Sequence, residues 1–237
     1  MVFNFIAIIF VLLVTFYTTV NTLVDMLFRK LNRNRLDSRF RWWSSAILNF
    51  AKLSYKIHNR EKISFEEQKK YIVMCNHASL FDIPLSVMAL NTSVRMLAKK
   101  ELIQVPIWGK AMQISDFVSI DRKSSKRALK DLKYAERVLE KGIVLWISPE
   151  GTRSKNGQLQ PFKRGGFKLA MDIGATIIPM GIRGSHDVMP AGTLRINRGS
   201  HVDIYFGTPI DASSYDIKNR KALIDAVESQ IRDLCGQ

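Results

Sequence analysis

His77 and Asp82, in the run Asn76-His77-Ala78-Ser79-Leu80-Phe81-Asp82, have the residue types and spacing of a general base and the carboxylate that orients it. A hydroxyl is a poor nucleophile until its proton is taken, and imidazole, which titrates near neutrality, suits that task. A carboxylate on the other ring nitrogen would fix the tautomer and stabilise the imidazolium as the proton moves. The same letters have a second meaning, because Ser79-x-x-Asp82 is also the pattern of a helix capping box. The two readings are compatible: Tyr71 to Cys75 reads as a short buried strand, and His77 then falls in the turn between strand and helix.

A second cluster, Glu150-Gly151-Thr152-Arg153-Ser154, also follows a strand. The apolar run Ile143 to Ser148 is ended by Pro149, so these residues form the loop at its carboxyl end. In open α/β sheets the ligand crevice lies outside those ends, which predicts that His77 and Glu150 face one cleft. Gly151 permits close backbone approach, and Arg153 offers a forked donor suited to phosphate oxygens. Standing alone, Glu-Gly-Thr-Arg reads as an ordinary polar turn. Following His-x4-Asp, it resembles the third sequence block, and the histidine run the first, of the lysophosphatidic acid acyltransferase family (1-acyl-sn-glycerol-3-phosphate acyltransferases of the glycerolipid acyltransferase superfamily). Members move a fatty acyl group from a thioester to a glycerol-phosphate hydroxyl.

Further stretches extend the resemblance over roughly residues 70 to 210. Phe117-Val118-Ser119-Ile120-Asp121-Arg122 resembles the family's second block, with Asp116 and Ser119 where a glycine and a phenylalanine are usual. Ile177-Ile178-Pro179-Met180-Gly181 resembles the fourth, and Ala98 to Leu102 and Val105 to Gly109 resemble the stretch between the first two. The resemblance implies an α/β fold with a mixed central sheet flanked by helices. It implies acylation of the free sn-2 hydroxyl of lysophosphatidic acid to give phosphatidic acid, for phospholipid synthesis. His77 and Asp82 would be catalytic, and Arg122, Glu150, Gly151, Thr152 and Arg153 substrate-binding, with Arg122 and Arg153 on the phosphate. Acyl-coenzyme A or acyl carrier protein would be the co-substrate, with no metal or bound cofactor. The departures at Asp116 and Ser119 leave other lysolipids open as acceptors, such as a lyso-ornithine lipid or a lysophospholipid with a headgroup. A thioester hydrolase would use the same base on water.

Composition bounds the partners. The chain has 237 residues and 36 Lys and Arg against 21 Asp and Glu, a net charge of +15, so its partner surface is expected to be anionic. A basic membrane-bound nucleic-acid-binding protein would use the charge, but the sequence contains no recognisable binding module and nucleic acid is not expected. Cys75 and Cys235 have neither metal-ligand spacing nor the look of a disulfide framework, which fits a reducing compartment.

The amino-terminal segment narrows the partner to a phospholipid membrane. Val2 to Val24 has no charged residue, and at about 1.5 Å per helical residue it is long enough to cross a hydrocarbon core. Its polar residues Asn4, Thr15, Thr18, Thr22 and Asp25 follow helical spacing, leaving open an interfacial helix or a buried partner helix. Neither basic leader nor cleavage site is evident, so a removable signal peptide is not expected. A basic stretch follows, then a second helical pattern in which Trp43, Ala46, Ile47, Phe50 and Ile57 are predicted to share a face. Residues 1–60 carry nine Lys and Arg against two Asp, +7 of the total charge, beside apolar faces suited to anionic headgroups over an acyl layer. The expected division is therefore a membrane-attachment hairpin over residues 1–60 and an acyltransferase domain over 61–237. The positive-inside rule puts the basic side and the active site in the cytoplasm, at a bacterial inner membrane.

Overall fold

The computed structural model describes residues 2–119 and 125–237, with backbone only for residues 125–130 and 132. Two helices open the chain, α1 (Val2–Leu27) and α2 (Arg33–Phe50), and they run antiparallel. The polar stripe of α1 is used against α2: Trp43 Nε1 donates to Thr15 Oγ1 (3.0 Å), Arg39 donates to Thr22 Oγ1 (3.0 Å), and Asp25 pairs with Arg39 (2.6 Å) and Arg35 (3.1 Å). Asn4, at the other end of the stripe, accepts from the Ile196 N–H (3.2 Å), so both ends of α1 are tied to the rest of the molecule. Asn32 caps α2 by accepting from the Arg35 N–H.

Ile57 does not continue the α2 face. The helix stops at Phe50, Lys52 turns the chain with φ +50°, and Ile57 lies in strand β1 (Ser54–His58) opposite Ile204. The sheet therefore draws on residues ahead of position 60. The described strands that follow are β2 (Tyr71–Cys75), β3 (Val94–Ala98), β4 (Val118–Ser119), β5 (Val144–Ile147), β6 (Thr176–Arg183), β7 (His201–Phe206) and β8 (Ile210–Asp211). All eight form one sheet in the order β1-β7-β6-β2-β5-β3-β4, with β8 paired to β6. The block from β6 to β4 is parallel, whereas β7 and β8 run antiparallel to β6. A mixed sheet is the result.

Strands β2 and β5 read as unbroken apolar runs because both of their faces are covered. On one face Val73, Cys75, Val94, Met96, Val144 and Trp146 pack under α2 and α3 (Asp82–Leu90), through Ile47, Leu48, Leu85 and Leu90. On the other, Ile72, Met74, Leu145, Ile147 and Ile177 meet residues of α6 (Ser125–Glu140), α7 (Arg164–Asp172) and α9 (Arg220–Cys235), among them Leu139, Phe167, Leu169, Leu223 and Ile231. The short helices α4 (Lys100–Ile103), α5 (Trp108–Ile114) and α8 (Ser185–Val188) occupy connections.

One buried residue breaks the apolar pattern. Arg95 on β3 is 1% exposed and donates to Asp37 of α2 at 2.7 Å, to the Val94 carbonyl and to the Ser115 carbonyl. Asp37 also accepts from Ser93 Oγ (3.1 Å). The second helix is thereby fastened to the sheet by a desolvated ion pair, and removing either partner alone would leave a buried charge uncompensated.

Candidate active site

β2 and β5 are parallel neighbours, and the segments that follow them begin the site. Asn76 comes first. Its side-chain oxygen accepts from the Ile182 N–H (2.8 Å) and its amide donates to the Ile182 carbonyl (2.9 Å), so it stands in for a backbone pair and extends the join between β2 and β6. The turn that follows is thus launched from a fixed point.

Asp82 is fully buried at the start of α3. Its Oδ2 accepts from His77 Nδ1, from the Ala78 N–H and from the Ser79 N–H, all at 2.8 Å. Three N–H donors on Oδ2 offset part of the cost of burying the carboxylate, whose Oδ1 has no hydrogen-bond partner among the described residues, and the turn wraps around it. The capping reading is present in altered form. Asp82 reaches back to the Ser79 N–H as a capping box requires, but Ser79 Oγ accepts from the Phe81 N–H (3.3 Å) and donates to the Met189 carbonyl (3.0 Å). With Nδ1–H given to Asp82, the lone pair of His77 lies on Nε2. The His77 side chain remains 15% exposed, and its ring stands nearly perpendicular to Trp146, with centroids 5.6 Å apart. A fixed tautomer, a partly open base and an aromatic wall fit proton abstraction from a bound hydroxyl.

Glu150 is nearly fully buried and joins two backbones. Its Oε1 accepts from the His77 N–H (2.7 Å) and its Oε2 from the Gln160 N–H (2.9 Å). Burial pushes its carboxyl above the usual range, against the lowering effect of those two hydrogen bonds and of His77. The Ser154 N–H donates to the His77 carbonyl (2.7 Å), and Ser154 Oγ donates to the Gln158 carbonyl (2.7 Å). The loop after β5 is therefore held at its start, middle and end, with the peptide of His77 clamped on both sides. Gly151 sits at φ +73°, a conformation that favours glycine, and its N–H donates to the Ser148 carbonyl.

Arg153 is half-buried, and its Nη1 has no hydrogen-bond partner among the described residues. Thr152 is exposed. Arg122 lies outside the described residues, as do Ile120 and Asp121. Asp116, where the second block usually has glycine, adopts φ +63°, and Lys141 holds its carboxylate at 2.7 Å. The backbone at Asp116 is left-handed, a conformation that Asp tolerates better than most residues. Asn76, Trp146, Ser154 and Gln160 were not among the expected site residues. Asn76 had a signal in its place beside His77, whereas Gln160 acts through a backbone N–H that no residue type reveals. Cys75 adjoins the site, but burial raises its thiol well above the ordinary range, so it is inert as a nucleophile.

Comparison with known proteins adds a separate line of support. Residues 54–183 match the Acyltransferase family model. A 1-acyl-sn-glycerol-3-phosphate acyltransferase of Cocos nucifera is 35% identical over 146 residues, which is 61% of this chain and 47% of that protein. A chloroplastic 1-acyl-sn-glycerol-3-phosphate acyltransferase of Arabidopsis thaliana is 30% identical over 188 residues, 79% of this chain and 52% of its own. The chain spans about half the length of these curated relatives. Among solved structures, the 1-acyl-sn-glycerophosphate acyltransferase PlsC of Thermotoga maritima superposes with a TM-score of 0.72 at 23% identity, over 96% of this chain and 95% of that one. At that identity the likeness is one of fold, and it matches the mixed sheet flanked by helices.

Proposed function

Because this chain belongs to the Acyltransferase family, we propose that it transfers a fatty acyl group from a thioester to the free sn-2 hydroxyl of 1-acyl-sn-glycerol-3-phosphate, giving phosphatidic acid. The observation that carries the reading is the dyad itself: His77 Nδ1 at 2.8 Å from a buried, backbone-bonded Asp82, with no hydrogen bond to Nε2 among the described residues. The names of the plant relatives support the acceptor.

His77 Nε2 takes the hydroxyl proton as the oxygen attacks the thioester carbonyl carbon. Asp82 holds the ring and stabilises the imidazolium that forms. The tetrahedral intermediate collapses with the thiolate as leaving group, and the thiolate takes the proton back from Nε2. Ester and thiol are the products. Glu150 keeps the His77 backbone and the loop after β5 in one arrangement, so that the base does not drift; placement within a fraction of an ångström is worth orders of magnitude in rate. Arg153 brings a donor to the acceptor phosphate, with Gly151 and Thr152 shaping the approach, and Arg122 is the second phosphate ligand in this reading.

The acyl donor is coenzyme A or acyl carrier protein, and the active site works at the cytoplasmic surface of a membrane. Support for attachment comes from α1, which is long and apolar enough to cross a bilayer by length and composition. Phe5, Leu12, Leu13, Phe16 and Leu27 on it are each more than 60% exposed. Its contacts at Asn4 and Asp25 hold both ends on one side of the protein, which favours immersion along one leaflet. The test incubates membranes containing the protein with lysophosphatidic acid and each labelled donor in turn. Phosphatidic acid should form with one of them; no product with either would overturn the reading. Acylation of a lysolipid bearing a headgroup, in its place, would move the acceptor assignment.

A further inference from the structure

An open groove of about 440 Å³ runs between α1 and α2, lined by Tyr17, Asn21, Asn34, Arg35, Ser38 and Trp42, with Arg39 behind them. It shares no residue with the site around His77. Its chemistry is graded along its length. Tyr17 and Trp42, both about half exposed, pack against each other at 5.2 Å and close one end. On α1 the apolar residues Leu12, Leu13 and Phe16 lie beyond them. The other end, towards the turn between the helices, is polar and basic. Aromatic residues of this kind sit at the level of lipid headgroups, with apolar neighbours towards the acyl layer and cations towards water.

Two arginines there share one carboxylate. Arg39 is committed: it donates to Thr22 and Asp25 and is 18% exposed. Arg35 meets both Asp25 oxygens with Nη1 alone, while its side chain stays 50% exposed. Arg35 thus keeps part of its fork for a second anion, and the pair with Asp25 leaves a net positive charge. A guanidinium so held, with hydroxyl and amide groups of Ser38, Asn21 and Asn34 around it, suits phosphate oxygens, and a phosphate ester fits better than a bare ion because the groove is amphipathic.

We propose that this groove binds the phosphate headgroup of an anionic phospholipid of the surrounding leaflet. The inference rests on the reading that α1 faces lipid. Occupancy would set the depth and tilt of the hairpin, and with it the height of the active site above the membrane.

The test measures partition of the full-length chain onto vesicles of phosphatidylcholine alone and of equal parts phosphatidylcholine and phosphatidylglycerol. Lys30→Gln serves as a charge control, since Lys30 is exposed in the turn and does not line the groove. Diffuse attraction predicts a loss of about fivefold on anionic vesicles for any one basic residue. Arg35→Gln is expected to lose on the order of thirtyfold, because charge-assisted hydrogen bonds go with the charge. Asp25 keeps Arg39 in that variant. Ser38→Asp leaves Arg35, Arg39 and Asp25 in place, sets a carboxylate three residues along the helix from Arg35 in the groove and should also exceed the control. Partition onto phosphatidylcholine alone should be unchanged in all three. Losses no larger than that of Lys30→Gln would overturn the groove and leave membrane attachment standing. Failure of the wild-type chain to bind either vesicle would overturn attachment and the groove with it. Inorganic phosphate should displace the protein from anionic vesicles no better than chloride at equal ionic strength; specific displacement would mean that the groove takes free phosphate, against the lipid assignment.

Discussion

The molecule buries carboxylates in two regions and treats them differently. Around the active site, Asp82 and Glu150 are held by backbone N–H groups and a histidine. At the helical hairpin, Asp25 and Asp37 are held by Arg35, Arg39 and Arg95. An arginine pair is a cross-link that joins two elements, and only an arginine left half exposed, as Arg35 is, keeps donors for a further anion. Backbone donors instead shape a loop around the carboxylate, and the imidazole they orient stays chemically free. The first arrangement suits turnover and the second suits assembly, and substitutions should separate them.

The largest expected effect falls on activity with little change in stability. His77→Ala should lower turnover by roughly 10²–10⁴-fold, the usual contribution of a general base, while the urea midpoint falls only modestly because Asp82 keeps its two backbone N–H donors. Steady-state rates and denaturation on the same preparation check both halves. Near wild-type turnover would remove His77 from the mechanism.

The opposite pattern is expected at the hairpin. Asp37→Leu leaves Arg95 buried without its counter-charge and should cost about 3–5 kcal/mol of stability. Adding Arg95→Met should recover much of that loss, since replacing a whole buried pair with apolar residues is often close to neutral. Urea unfolding of the two variants decides the matter. If Asp37→Leu is as stable as wild type, α2 is not fastened as described.

Sequence made the site more legible than the hairpin, for a physical reason. The His77–Asp82 pair is local, five residues apart, so residue types and spacing carry its geometry. The strands at Tyr71, Ile143 and Thr176 were readable because covered parallel strands are continuous apolar runs. Arg95 could not be placed: a lone arginine in a strand has no periodicity to mark it as buried, and its partner lies 58 residues away. Strand β1 was hidden too, since Ser54-Tyr55-Lys56-Ile57-His58 reads as a continuation of a helical face until the turn at Lys52 is seen. Likewise the polar stripe of α1 announced a partner without naming it.

A smaller effect separates the substrate anion from the scaffold. Arg153 Nη1 is buried without a partner among the described residues, so it has a donor to give to an anion during turnover. Arg153→Ala should raise the apparent constant for the acceptor by about 1.5–3 kcal/mol and leave the donor constant nearly unchanged. Arg153→Lys should restore little, because the planar fork is lost. An effect confined to the donor would transfer Arg153 to the coenzyme or carrier phosphate.

The smallest effect tests Glu150, which resembles Asp82 in its backbone bonds but, among the described residues, accepts no hydrogen bond from an imidazole. Burial raises its carboxyl in the folded chain above the unfolded value. The native state therefore holds the proton to higher pH than the unfolded state does. Its contribution to stability is full below the unfolded pKa and is lost as pH rises through the folded one. This is the reverse of an ordinary ion-paired carboxylate, whose contribution is lost on acidification. Glu150→Gln removes the titration, so the decline in stability with rising pH above the normal glutamate range should flatten relative to wild type. It also sets an amide donor against one of the N–H groups of His77 or Gln160, so the variant should be less stable throughout and slower in turnover. Urea midpoints across the mildly acidic range, compared between the two proteins, isolate the slope from the offset. Parallel curves would mean that the backbone hydrogen bonds outweigh burial and that Glu150 is ionised as readily as a glutamate in water.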